Sequence, residues 1–187
     1  MSRLLTMFGG GAATTTLISD TFTDTNGTAL SSHTIAPTNT PATSWSAAAG
    51  WQVQSNRAKL VSGGDVWATV NAGVSDCIIE CDFHTSDATA SYAGIAVRYS
   101  TTSAWWHVRP RYDGVSQQFE ITEINGSATT RASGGTVTLG TDYALRIVLS
   151  GSSIALYVNG VLTVSYASAT FNQTATRYGF YNNSGYP

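Results

Sequence analysis

The chain has 187 residues, a formal net charge of −2 and 11% charged residues, well below the roughly 25% of typical soluble domains. It contains no basic cluster that could neutralise phosphates, which argues against nucleic acid as a partner. No run approaches the roughly 18 apolar residues that a membrane-spanning helix needs, so no membrane association is expected.

The first predicted element is a flexible N-terminal arm over residues 1–16, "MSRLLTMFGGGAATTT". Its apolar stretch is shorter than the roughly 7–15 residues of a secretory signal, so no signal peptide is expected. The glycines that follow predict a mobile segment. Two interpretations remain: a disordered tail, or an anchor that docks on another subunit. The anchoring residues would be Leu4, Leu5, Met7 and Phe8.

Residues 17–187 show almost no helical periodicity. Short runs rich in β-branched and aromatic residues alternate with clusters of Gly, Asn, Asp and Ser, which is typical of β-sandwiches. We therefore expect one all-β domain over residues 17–187, a two-sheet antiparallel β-sandwich. The predicted strands are Leu17–Thr23, Ser44–Gln54, Ala58–Leu60, Val66–Asn71, Cys77–His84, Ala93–Tyr99, Trp105–Tyr112, Gln117–Ile124, Thr129–Ser133, Tyr143–Ser150, Ser153–Val158, Val161–Ala167 and Arg177–Asn182.

Three short turn sequences predict which of these strands form hairpins. They are "YDG" at Tyr112–Gly114, "ING" at Ile124–Gly126 and "VNGV" at Val158–Val161. Asp-Gly and Asn-Gly pairs adopt positive φ readily, as tight hairpin turns require. The last turn is the strongest signal, because two β-branched strands flank a two-residue Asn-Gly turn.

Both cysteines lie on the predicted strand Cys77–His84. Cys77 and Cys81 are four residues apart, which places their Cα atoms roughly 13 Å apart on an extended strand. A disulfide tolerates no more than about 7 Å, so the two thiols cannot pair. They share one apolar face with Ile79 and Phe83, which predicts buried, reduced thiols and folding in a reducing cytoplasm.

The opposite face of the same strand carries Glu80, Asp82 and His84, because side chains alternate between the two faces of a sheet. If the following strands pair in chain order, their polar residues would lie on the same concave face. These further residues are Tyr92, Arg98, Trp105, His107, Arg109, Arg111, Glu120 and Thr122. The other tryptophans, Trp45, Trp51, Trp67 and Trp106, are expected to pack in the core or at sheet edges.

Two interpretations of this polar face remain. In the first, Glu80 and Asp82 form cross-strand ion pairs with Arg98, Arg109 or Arg111 on a solvated sheet. In the second, aromatic rings and charged groups bind a glycan or another ligand. The candidate ligand-binding residues are Glu80, Asp82, His84, Tyr92, Arg98, Trp105, His107 and Arg109.

Four stretches together resemble the concanavalin A-like jelly-roll domains, of the laminin G-like and glucanase-like type. They are "SDTFTDTNGTALSSH" at Ser19–His33, "TSWSAAAGWQVQSNRAKL" at Thr43–Leu60, "YALRIVLSGSSIALYVNGVLTVSY" at Tyr143–Tyr166 and "RYGFYNNSG" at Arg177–Gly185. The resemblance implies the fold, but not one activity, since this architecture hosts lectins, hydrolases and scaffolds. Such domains usually end in a further strand beside the first, so the first strand, Leu17–Thr23, is expected to have an exposed edge that a neighbouring subunit or the N-terminal arm covers.

The resemblance also allows an enzymatic interpretation. Glucanases of this type carry Glu-x-Asp-x-Glu on one strand, and by resemblance Glu80 matches the nucleophile and Asp82 the assisting residue. His84 stands where the acid/base Glu belongs, and retaining hydrolysis needs two carboxyl groups about 5–5.5 Å apart. We therefore expect no catalytic residues. Asp20, Asp24 and Asn26 offer oxygen ligands for Ca²⁺, but no full calcium loop follows them, so neither a cofactor nor a metal is expected.

The glycine-rich arm and the Thr/Ser/Ala-rich composition resemble phage virion proteins. By this resemblance, the function is that of a virion structural or accessory protein, a head decoration or tail-associated component made in the host cytoplasm. Its partners would be other virion proteins and further copies of itself in a homo-oligomer. The alternative is a lectin-like carbohydrate-binding module, for example one that binds a host surface glycan.

Overall fold

The computed structural model describes residues 5–9, 15–35, 44–85 and 92–183. A short 3-10 helix spans Leu30–Ser32. No helix in these segments is long and apolar enough to cross a membrane. The strands are β1 Leu5–Gly9, β2 Thr15–Asp20, β3 Ser46–Ala47, β4 Trp51–Val53, β5 Ala58–Leu60, β6 Val66–Asn71, β7 Cys77–His84, β8 Gly94–Thr101, β9 Ala104–Tyr112, β10 Gln117–Asn125, β11 Ser127–Gly134, β12 Asp142–Ser150, β13 Ser153–Val158, β14 Val161–Tyr166 and β15 Arg177–Asn182.

These strands form two large antiparallel sheets. One has six strands in the order β14-β13-β12-β7-β1-β2, and the other has seven in the order β11-β10-β9-β8-β15-β6-β3. Strands β4 and β5 form a separate two-stranded sheet. The inner faces of the large sheets enclose a shared apolar core, so the predicted two-sheet antiparallel sandwich is confirmed.

Strand β7 shows how alternation builds this core. Cys77, Ile79, Cys81 and Phe83 are buried, while the residues between them are partly or fully exposed. Both thiols are reduced, as predicted. Burial raises the pKa of Cys77 to about 12, so this thiol is protonated at neutral pH. Each large apolar side chain removed from water in this way contributes about 1.5–3 kcal/mol to the free energy of unfolding.

The N-terminal segment forms part of the six-stranded sheet. Strand β1 lies between β7 and β2, with Met7 opposite Ile79 and Ile18, and the Met7 side chain is fully buried in the core. The expectation of a flexible segment is therefore wrong for residues 5–9, because backbone pairing on both edges fixes them. The anchoring of this segment on another subunit stays a prediction. Leu4 lies outside the described residues, as do the side chains of Leu5 and Phe8. The first predicted strand corresponds to β2, which is the edge strand of this sheet and has β1 as its neighbour.

The segment predicted as one strand over Ser44–Gln54 is divided by a turn at Gly50. This glycine has φ of +96°, and its carbonyl oxygen accepts a hydrogen bond of 2.9 Å from the N–H of Val61. A Cβ atom at Gly50 would overlap the carbonyl oxygen of Ser62. The turn moves the chain from the seven-stranded sheet, which contains β3, to the two-stranded sheet, which contains β4.

The predicted hairpins are present. Strands β9 and β10 are paired through the turn at Gly114, and β10 and β11 through Gly126. Between β13 and β14, Asn159 has φ of +50° and Gly160 has φ of +83°, which are the two positive values of a tight Asn-Gly turn.

Candidate functional site

The predicted ligand-binding residues are divided between the two sheets. Glu80, Asp82 and His84 lie on the outer face of the six-stranded sheet, because β7 pairs with β1 and β12. Trp105, His107 and Arg109 lie on β9, in the seven-stranded sheet. The expectation that all of them share one concave face is therefore wrong, since it assumed that β7 and β8 are neighbours.

The outer face of β7 carries ion pairs. Glu80 lies opposite Arg146 in the register, and its Oε1 is 3.2 Å from Arg146 Nε. His84 Nδ1 is 3.0 Å from Asp142 Oδ1. The predicted cross-strand pairing of Glu80 is present, but the partner is on β12 and not on β8 or β9. Exposed pairs of this kind contribute about 0–1 kcal/mol to stability.

Arg98 is a buried structural residue. Its φ of +50° accompanies register shifts between β8 and both neighbouring strands, which break the alternation of side chains. The guanidinium is fully buried and pairs with Asp76 Oδ1 at 2.9 Å. It also donates to the carbonyl oxygens of Gly151 at 2.7 Å, and of Ser75 and Ala169 at 3.4 Å. It therefore binds three loops together.

A second charge network occupies the outer face of β9 and β10. Arg109 Nη2 lies 3.1 Å from Glu120 Oε2, and Arg111 Nη1 lies 3.1 Å from Glu120 Oε1. Arg111 also pairs with Asp113, and the Arg109 guanidinium lies 4.9 Å from the centre of the Tyr92 ring. Burial alone would raise the pKa of Asp113, but the backbone N–H of Ser116 and the Arg111 guanidinium lower it to about 2. These charges neutralise one another.

Beside this network lies a cluster of four rings on the same outer face. Trp67 contacts Trp105 edge-on at 5.9 Å between centroids and Tyr181 at 5.1 Å. His107 lies 5.0 Å from both Trp105 and Tyr181. Trp105 and His107 are buried, whereas Trp67 is only partly so. Burial, followed by the charge of Arg109, lowers the pKa of His107 well below 6.5, so this ring is neutral and serves packing.

An open cleft of about 520 Å³ begins at Trp67. The Tyr99 ring lies 6.1 Å from that of Trp67, and both are partly exposed. Arg177 donates from Nε and Nη2 to Thr69 Oγ1, at 3.3 and 3.1 Å. The lining residues, which we call the Trp67 cleft, are Ser46, Ala47, Ala48, Trp67, Thr69, Tyr99, Ser100 and Arg177.

None of the lining residues was predicted as a binding residue, and Trp67 was expected to pack in the core or at an edge. One signal was available in the sequence. Ala68 and Val70 are apolar core residues of β6, so alternation places Trp67 and Thr69 on the outer face. Tyr99 and Arg177 reach the same place only because β8 and β15 are neighbours in the sheet, opposite each other in the register.

The residues considered for calcium have protein partners. Asp20 accepts hydrogen bonds of 2.8 Å from the Phe22 N–H and the Trp45 indole N–H. His33 Nε2 lies 2.9 Å from Asp20 Oδ1, and His33 Nδ1 lies 3.2 Å from Asp24 Oδ2. Within the described segments, no group of three or more His, Cys, Asp or Glu residues is arranged to hold a metal ion.

The His33 contacts lead to a prediction about pH. Burial alone would lower the pKa of His33, but its hydrogen bonds to Asp20 and Asp24 raise the pKa above 6.5 overall. Protonated His33 therefore stabilises the folded state. This contribution to the free energy of unfolding is complete below the unfolded-state pKa of about 6.5, and it is lost as the pH rises through the folded-state pKa. We expect the stability of the wild type relative to a His33→Gln variant to decrease over this window. Urea unfolding at a series of pH values measures it, and identical pH profiles for the two proteins would contradict the assignment.

Comparison with known proteins supports the fold seen here. The structure is similar to that of the carbohydrate-binding module CBM66 from Bacillus subtilis, with a TM-score of 0.63 and 17% sequence identity. The match covers 79% of this chain and 92% of that module. The predicted jelly-roll type of β-sandwich fold is confirmed by this likeness. No protein-family model and no curated protein matches the sequence.

Proposed function

We propose that the protein is a carbohydrate-binding module that holds a glycan in the Trp67 cleft. The observation that carries this proposal is an open cleft with two partly exposed aromatic rings and several hydroxyl groups. Its volume of about 520 Å³ lies within the range of roughly 300–1,000 Å³ for small-molecule sites. The similarity to a carbohydrate-binding module supports the same function.

The chemistry of the cleft suits a sugar. The C–H faces of a pyranose or furanose ring are apolar and pack against aromatic faces, which Trp67 and Tyr99 supply. Ser46 and Ser100 are exposed and can exchange hydrogen bonds with sugar hydroxyls. Trp105 and Tyr181 pack against Trp67 and hold its ring in place, which reduces the entropy lost on binding.

The test is glycan binding by matched aromatic variants. Trp67→Ala should weaken binding of the best ligand from a glycan array by roughly tenfold or more, because one buried stacking contact is worth about 1.5–3 kcal/mol. Tyr157→Ala is the control, since Tyr157 lies on the other sheet beside Arg146. Calorimetry measures both. Absence of any glycan binding, or equal losses in the two variants, would overturn the proposal.

The predicted virion role is a separate matter. The proposed glycan site is compatible with a particle-associated protein, but it does not depend on one. Location in a virion, partnership with other virion proteins and assembly into a homo-oligomer stay predictions from the resemblance stated above. The expectation that the protein is not an enzyme also stays a prediction. Glu80 and His84, which the enzymatic interpretation considered, form ion pairs on an exposed sheet.

A further inference from the structure

We propose that the glycan bound in the Trp67 cleft is acidic, and that Arg177 pairs with the carboxylate of a uronic or sialic acid residue. This inference rests on the proposed function and specifies its ligand class. It starts from the one feature that separates Arg177 from the other arginines of the described segments. The others each pair with a carboxylate: Arg57, Arg98, Arg109, Arg111, Arg131 and Arg146.

Arg177 forms no ion pair within the part of the chain that the structure describes. Among the described residues, the eight that line the cleft include neither Asp nor Glu. A half-buried guanidinium without a counter-charge is unusual here, because charges are few in this protein and every other arginine of the described segments pairs with a carboxylate. The overall net charge of −2 gives no general attraction for anions, so any such attraction is local to this cleft.

The orientation of the guanidinium also favours a carboxylate. Both Nε and Nη2 donate to the buried Thr69 Oγ1, which fixes the plane of the group. Within the described segments, the hydrogens on Nη1 and the second hydrogen on Nη2 have no acceptor, and one hydrogen from each of these nitrogens points to the far end of the group. This edge is the two-pronged donor that matches the two oxygens of a carboxylate.

The positive charge of Arg177 interacts with Tyr99, which together with Trp67 forms the aromatic wall of the same cleft. Burial raises the pKa of Tyr99, and the positive charge of Arg177 opposes that increase. Arg177, Tyr99 and Trp67 therefore line the same cleft. A sugar ring stacked on the aromatic wall would place an attached carboxylate within reach of the guanidinium.

The experiment compares acidic sugars with neutral counterparts of the same shape. Trigalacturonate and sialyllactose are each set against their own methyl ester, so that the two pairs distinguish the two sources of carboxylate. We expect the free acid of one pair to bind roughly ten- to a hundredfold more tightly than its neutral counterpart. Arg177→Gln should abolish that preference, and added salt should weaken it. Arg146→Gln is the matched control on the opposite sheet and should leave the preference for the free acid unchanged.

The outcomes separate the two proposals. If neutral glycans bind as tightly as acidic ones and Trp67→Ala abolishes that binding, the proposal of an acidic ligand is overturned. The proposal of a glycan site in the Trp67 cleft would then still hold. Absence of binding to every acidic and neutral glycan would overturn both. If Arg177→Gln does not fold, the comparison of free acid and methyl ester on the wild type still decides the matter.

Discussion

Gly50→Ala should lower the free energy of unfolding by about 3 kcal/mol. The backbone at this glycine has φ of +96°, a region that costs other residues roughly 1–2 kcal/mol. In addition, the new Cβ would overlap the carbonyl oxygen of Ser62, and forcing such a contact costs typically about 1–3 kcal/mol. Chemical denaturation with a fluorescence readout measures the change.

Gly27→Ala is the matched control for this prediction. Gly27 has nearly the same φ, +92°, but nothing lies within 4 Å of the position of a Cβ atom. Only the backbone cost of roughly 1–2 kcal/mol should appear there. Equal losses in the two variants would show that the close approach of Ser62 to Gly50 carries no energetic weight.

Arg98→Met should be about as destabilising, with an expected loss of about 3 kcal/mol. Methionine keeps the apolar stem of the side chain as far as the position of Nε, but leaves the carbonyl oxygens of Gly151 and Ala169 without their donor. An unsatisfied buried polar group costs roughly 1–3 kcal/mol, which applies in full to the carbonyl of the buried Ala169 and in part to that of the exposed Gly151. Asp76 is 47% exposed, so water replaces part of its interaction and the carbonyl oxygens dominate the loss.

Arg146→Met is the control for Arg98. It removes the same guanidinium from an ion pair with Glu80 on an exposed sheet face, where the pair is worth about 0–1 kcal/mol. Thermal and urea unfolding of both variants provide the comparison. A loss at position 98 no larger than that at position 146 would mean that Arg98 does not bind the loops together.

Much of the strand content follows from local sequence. Alternation is strict in β7, where every second residue is buried, and Asn159-Gly160 requires a hairpin between β13 and β14. Both signals act over a few residues, so they can be read before any tertiary contact is known. Five predicted strands, including Ala58–Leu60 and Val66–Asn71, agree with the structure in both bounds.

The remaining features depend on contacts between distant segments. Strand β1 has no alternating pattern of its own, and it is defined by pairing with β7, which is far along the chain. The residue types around Arg98 do not indicate its left-handed backbone. This conformation directs the side chain, which was predicted to lie on the surface, into the interior. Sequence patterns therefore identify strands but do not assign them to a sheet.

The candidate site illustrates the same limit. Trp67, Tyr99 and Arg177 come from β6, β8 and β15, which are adjacent only because β15 inserts between the other two. Each residue alone is an ordinary strand residue. Their shared cleft follows from strand order, which no local pattern specifies.

The position of the two thiols has a practical consequence for how the molecule can be studied. Cys77 and Cys81 face the interior between the sheets, and neither is accessible to solvent-borne reagents while the sandwich is closed. An alkylating agent would reach them only after the sheets separate. Their modification rate would thus report opening of the whole domain, with no added label.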